Sequence, residues 1–181
     1  HPSVPIVALT DAPRYVAMWK MNKLGLLPNF DAVYGLPDPQ IPTCDQTRRV
    51  KVKPGILLKH LQQYNFDYRG RIRVLPDDYE KPGTKGLRTV LMDYEMDGAE
   101  YDRGQVVWIG DNRRKDVALG KSLGVRTFWA EYGTIIPKEK MDRLAKFSPP
   151  LNVHKNANIE REGEIFHTPD HTLQSFSDIL K

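Results

Sequence analysis

Residues 105–130, QVVWIGDNRRKDVALGKSLGVRTFWA, constrain the fold more than any other part of this chain. They read as an apolar strand, a tight turn opened by Gly110, a helix carrying Leu119 and Leu123, a glycine cap at Gly124 and a second apolar strand. Strands alternating with helices define α/β domains with a mostly parallel sheet. The same alternation runs along most of the chain. PIVAL (5–9) is a short apolar run closed by Thr10-Asp11 and predicts a buried strand. A helix is expected from Pro13, with Ala17, Met18, Met21 and Leu24 on one face, Pro13 in the first turn and Gly25 as the cap. FDAVYG (30–35) suggests a second strand, and Leu57, Leu61 and Tyr64 predict a helix over 54–64. RIRVL (71–75) alternates at period two, as a half-exposed strand would. Beyond Lys81-Pro82, Leu87, Val90, Leu91 and Tyr94 share a helical face, with Gly98 as a stop. A helix over 138–147 is stopped by Pro149-Pro150, and 148–170 reads as an irregular surface excursion. The final segment predicts a short strand and a helix, with Ser175 and Asp178 placed as a capping box.

Composition narrows the function. A chain of 181 residues suffices for one domain with a substantial core. Apolar content of 40% and charged content of 28% exclude global disorder. A net charge of +4 permits an anionic substrate but does not argue for nucleic acid. The basic clusters RRVKVK and RGRIR are flanked by acids and lack interleaved aromatics, so a nucleic-acid partner is not expected. No apolar run approaches the roughly 18 residues of a membrane span. The lone Cys44 excludes an internal disulfide and suits a reducing, cytoplasmic compartment. His167 and His171, with His154 nearby in sequence, lack the acidic or cysteine companions of a zinc site. Trp19, Trp108 and Trp129 fall in helical or strand core patterns and are read as packing residues.

In parallel sheets, ligands bind outside the carboxyl ends of the strands. That rule nominates Thr10-Asp11, the loop after RIRVL, and Gly110-Asp111. A strand ending in glycine turns tightly and leaves Asp111 exposed at its tip. Asp116 then stands at the start of the next helix. Mg²⁺ prefers oxygen ligands and keeps several waters, so one or two carboxylates from one loop suffice for it. The alternative is that both acids cap the following helix near its positive end.

Taken together, VVWIGDNRRKDVALGKSLGVRTFWAEYG, PIVALTDAP and EKPGTKGL resemble the haloacid dehalogenase (HAD) superfamily of phosphohydrolases. Residues 106–133 are similar to its fourth motif, an apolar strand ending in Gly-Asp with a second Asp, then a helix and a Gly-Val-x-Thr strand. Thr10 matches the second motif, and Lys81, ahead of the helix leading to the Gly-Asp strand, matches the third. Lys53-Pro54 is a second candidate, but it lies in the basic run RRVKVK with another strand in between. The resemblance implies a three-layer, Rossmann-like α/β core and hydrolysis of a small phosphorylated substrate through an aspartyl-phosphate. It implies that the Thr10 hydroxyl and the amides of Asp11 and Ala12 hold phosphate oxygens, and that Lys81 balances charge on the phosphoryl group. Asp111 would anchor Mg²⁺, and Asp116 would order the loop or complete the metal's shell. Gly-Asp, rather than Ser-Asn, resembles the phosphatase branch. A small insertion around 37–75 would account for the length of chain between Thr10 and Lys81.

One part of the pattern is missing. The family's first motif, an apolar strand followed by Asp-x-Asp, carries the nucleophile. No residue before Thr10 is acidic, and LPDPQ, NFDYR, LPDDYE and LMDYEMD do not place Asp-x-Asp after a buried strand. Asp11 follows the right kind of strand, but Pro13 stands where the second Asp belongs. The motif-one strand lies centrally in the family, so its loss would split the sheet and leave apolar edges. No signal peptide is visible, and the opening at His1-Pro2 reads as the continuation of a longer chain. The expectation is therefore that an upstream segment or a complementary chain supplies motif one. The competing expectation is a non-catalytic, HAD-like binding or structural module.

Overall fold

The computed structural model describes residues 4–38, 68–95, 102–135, 139 and 167–180. The helix expected over 54–64, all but Glu139 of that over 138–147, Cys44, Lys53, Gly98, His154 and most of 148–170 lie outside the described residues. The protein is α/β, with parallel sheets flanked by helices, in two compact units, His1–Glu80 and Lys81–Lys181.

In the first unit, β1 (Val7–Pro13), α1 (Arg14–Lys23), β2 (Ala32–Leu36) and β3 (Arg71–Val74) form a parallel sheet in the order β1-β2-β3. Every residue of the central strand β2 is buried, which explains its unbroken apolar run. Met18, Leu27 and Val33 form the core, with Ala8, Met21, Phe30 and Tyr68 packed against it. Helix α1 ends at Lys23, so Leu24 leaves the expected face and is 71% exposed. Trp19, read as a packing residue, is exposed, while Ala17 and Met18 are buried on the expected face. Strand β3 departs from the half-exposed expectation. All four of its residues are exposed, Ile72 and Val74 included, and burial begins at Leu75. Its arginines follow the usual pattern of edge strands, where charge discourages pairing with other chains.

In the second unit, α2 (Lys85–Glu95) buries Leu87, Val90 and Leu91, the face expected from the sequence. Strands β4 (Val107–Gly110), β5 (Arg126–Ala130) and β6 (His171–Leu173) form a second parallel sheet in the order β4-β5-β6. Between β4 and β5 the chain makes a five-residue π turn (Arg113–Val117) and then α3 (Ala118–Leu123). Val117, Leu119, Leu123 and Val125 are buried between this helix and the sheet. Gly124 closes α3 in the left-handed conformation at φ 70°, the glycine cap anticipated from the sequence. The capping box after β6 is half made. Asp178 Oδ2 accepts from the Ser175 amide, while Ser175 Oγ pairs with Ser177 Oγ.

Asp170 ties the start of β6 to β5. Its carboxylate accepts from Lys121 Nζ at 2.6 Å, from the Thr127 amide at 2.7 Å and from the Thr127 hydroxyl at 3.0 Å. The Lys121 hydrogen bond, followed by that of the Thr127 amide, lowers the Asp170 pKa to about 2. A carboxylate with a depressed folded pKa adds stability above its unfolded value, near 3.9, and loses it as pH falls through the folded value. Asp170→Asn is therefore expected to cost most stability at pH 5–7 and progressively less as pH falls from about 4 toward 2. Because the side chain is 37% exposed, solvent screening keeps the difference to about 1 kcal/mol or less. Urea unfolding of both proteins from pH 7 to 2 checks this, and a difference that stays constant across that range contradicts it.

Candidate functional site

Thr10, Asp11 and Ala12 form a bulge at the carboxyl end of β1. Leu9 pairs with Tyr34 and Pro13 with Leu36, so these three residues face Gly35 alone. Bulges of this kind re-aim side chains and recur beside active sites. Gly35 permits it, because a Cβ there would lie 3.1 Å from the Arg14 Cα and 3.3 Å from the Ala12 carbonyl. Thr10 Oγ1 accepts from the Ala12 amide at 3.1 Å. Just beyond β2, Asp38 secures the bulge's exit. It accepts from the Tyr15 amide at 2.7 Å and from Arg14 Nε at 2.8 Å, at the positive end of α1. Burial, then the Asp38 charge, raises the Tyr15 pKa.

The second unit holds Lys81, Asp111 and Asp116. Asp111 is exposed at the tip of β4. Asp116 is 3% exposed, and both of its oxygens are engaged. Oδ1 accepts from Lys81 Nζ at 2.7 Å, and Oδ2 accepts from the Asn112 amide at 3.0 Å. The π turn brings this carboxylate back beneath the strand tip, where a Cβ on Gly110 would meet the Asp116 Cβ at 2.2 Å. Gly110 therefore serves two purposes: it opens the turn and makes room for Asp116. Insertions into the helical ladder of this type are frequent at functional sites.

The side chain that caps the turn is Asn112, whose Oδ1 accepts from the amides of Arg114 and Lys115 at 3.1 Å each. Asparagine is a preferred N-cap residue, so it takes the role that the spacing of Asp111 and Asp116 suggested for the two acids. Two tryptophans read as packing also make polar contacts. Trp108 Nε1 donates to the Asp116 carbonyl at 2.9 Å, and Trp129 Nε1 donates to the Asp111 carbonyl at 3.0 Å. The signal for this was available, since a partly buried indole N–H needs an acceptor. His171 lies on β6 with its ring against Phe128. Among the described residues, no group of three His, Cys, Asp or Glu side chains could hold a metal, and no helix is long and apolar enough to cross a membrane.

No protein-family model matches the chain, and no curated protein matches it. Among solved structures it is similar to a p-nitrophenyl phosphatase from Archaeoglobus fulgidus, with 19% identity and a TM-score of 0.32. The match covers 96% of this chain and 55% of the phosphatase, so the chain spans about half the length of that protein. Likeness at this level carries no argument for activity.

Proposed function

We propose that the chain contributes the lysine and magnesium side of a HAD-type hydrolase of phosphate monoesters. The nucleophilic aspartate would come from an upstream segment or a complementary chain. The observation that carries this reading is the ion pair of the buried Asp116 with the half-buried Lys81 beneath the Gly110-Asp111 strand tip. A motif made only for packing has no need of a charged pair there, because burying two charges costs several kcal/mol before their attraction is counted.

Asp111 would hold a Mg²⁺ ion, a cation that prefers oxygen ligands and needs only one or two protein carboxylates. When bound, the ion would neutralise charge on the phosphoryl oxygens. Asp116, engaged at both oxygens, suits the ordering of the loop and the aiming of Lys81. Lys81 would balance charge on the phosphoryl group. The Thr10 hydroxyl and the Asp11 amide would bind phosphate oxygens. The Ala12 amide would join them by exchanging Thr10 Oγ1 for a phosphate oxygen.

Strands β1 and β4 each hydrogen-bond a neighbouring strand on one side only among the described residues, and Ile6 just before β1 and Val107 and Ile109 on β4 are exposed. Such edges accept an added strand, and they support a partner segment that carries Asp-x-Asp. The test is Mg²⁺-dependent hydrolysis of p-nitrophenyl phosphate. The 181 residues alone are expected to be inactive, and the protein joined to an Asp-x-Asp strand is expected to be active and sensitive to EDTA. Robust hydrolysis by the 181 residues alone would refute the separate nucleophile. A protein that lacks Asp-x-Asp everywhere and shows no activity would favour the binding module.

A further inference from the structure

The loop between the two acids is held from both ends by matching devices. Trp108 stands on β4 two residues before Gly110, on the face that the π turn covers, and its indole N–H donates to the Asp116 carbonyl at 2.9 Å. Trp129 stands on β5 opposite Gly110 in the parallel register, and its indole N–H donates to the Asp111 carbonyl at 3.0 Å. Each ring also carries a cation. Lys81 Nζ lies 5.7 Å from the centroid of Trp108, and Arg113 Cζ lies 5.2 Å from that of Trp129, both within the reach of cation–π attraction. On the Trp108 side the contacts close on themselves. The indole binds the backbone of Asp116, the Asp116 carboxylate binds Lys81, and the Lys81 ammonium lies over the same indole.

We propose that Trp108 and Trp129 are positioning residues, two indole clips that set where the carboxylates of Asp111 and Asp116 and the ammonium of Lys81 point. A hydrogen bond to the carbonyl of an acid fixes the backbone from which its side chain projects. A ring beneath the neighbouring cation restricts that cation without neutralising it. A catalytic constellation requires such support, because a group left to wander by 1 Å loses much of its effect. That the clipped groups handle metal and phosphate rests on the function proposed above. The clipping does not, and the test separates the two.

The experiment follows hydrogen exchange by NMR in wild type, Trp108→Phe and Trp129→Phe, with Trp19→Phe as the control. In wild type, the indole protons of Trp108 and Trp129 are expected to exchange about tenfold more slowly than that of Trp19, which lies partly exposed on α1. Each phenylalanine keeps an aromatic ring under the cation and removes one N–H donor. The amides of 112–117 are then expected to exchange about fivefold faster, the effect of losing one net hydrogen bond. Protection at the far end of α3 and in β5 is expected to stay unchanged. Indole exchange equal to that of Trp19, or an even loss of protection across the whole unit, overturns the clips and leaves ordinary packing. In the protein joined to its Asp-x-Asp strand, Trp129→Phe should raise the half-saturating Mg²⁺ concentration about fivefold with KM for substrate unchanged. Loop-confined exchange with no such Mg²⁺ effect supports the clips and counts against the metal role of Asp111.

Discussion

Asp116→Ala is expected to lower the unfolding free energy by about 3 kcal/mol, read as a shift in the urea midpoint. The side chain is nearly inaccessible and accepts two hydrogen bonds, one from Lys81 Nζ and one from the Asn112 amide, that are lost on its removal. Removing one member of a buried pair costs about 3–5 kcal/mol, because the other charge stays behind uncompensated. Here the lower end applies, since the Lys81 side chain is 16% exposed and can turn partly toward water. Asp116→Asn keeps an acceptor for the Asn112 amide but gives up the charge and the acceptor facing Lys81, where its NH2 group can only donate. About half the loss is expected from it. A midpoint for Asp116→Ala indistinguishable from wild type would show that the pair contributes nothing to the fold.

Gly110→Ala is the second large effect, again about 3 kcal/mol, at the upper end of the cost of overpacking. The added Cβ would lie 2.2 Å from the Asp116 Cβ and 2.3 Å from its Cγ. Those atoms cannot swing aside as a flexible side-chain tip would, because both carboxylate oxygens are tethered. The chain must therefore move β4 away from the π turn. The closest atom is a Cβ that alanine also possesses, so Gly110→Ala should remain costly in the Asp116→Ala background. Thermal unfolding of the two single variants and the double variant checks this. Full relief in the double variant would mean that the carboxylate alone, and not the backbone approach, demands the glycine.

Both effects concern a motif that was visible in the sequence, and the two predictions depend on how it is used in space. VVWIGD announced a strand tip bearing an acid because apolar runs and strand-ending glycines act within a few residues. The helix through Leu87, Val90 and Leu91 and the cap at Gly124 were legible for the same reason. The exposure of β3 was not, because alternation shows which residues share a face and not whether anything covers it. Trp19 misled similarly. It reads as a packing residue and is 37% exposed, although Ala17 and Met18, on the expected face of the same helix, are buried.

Local pattern thus specified the α/β class, the parallel strands and Asp111 at a strand tip, since periodicity and turn chemistry are properties of neighbouring residues. The partners of Asp116 depended on contacts that leave no such pattern. Lys81 lies 35 residues from it in the chain, and the Trp129 donor lies 18 residues from the Asp111 carbonyl. Nothing in a one-dimensional reading distinguishes an acid that caps a helix from one that grips a distant lysine. Only the folded second unit, with its π turn pressed against Gly110, decided that Asn112 caps the turn while Asp116 holds Lys81.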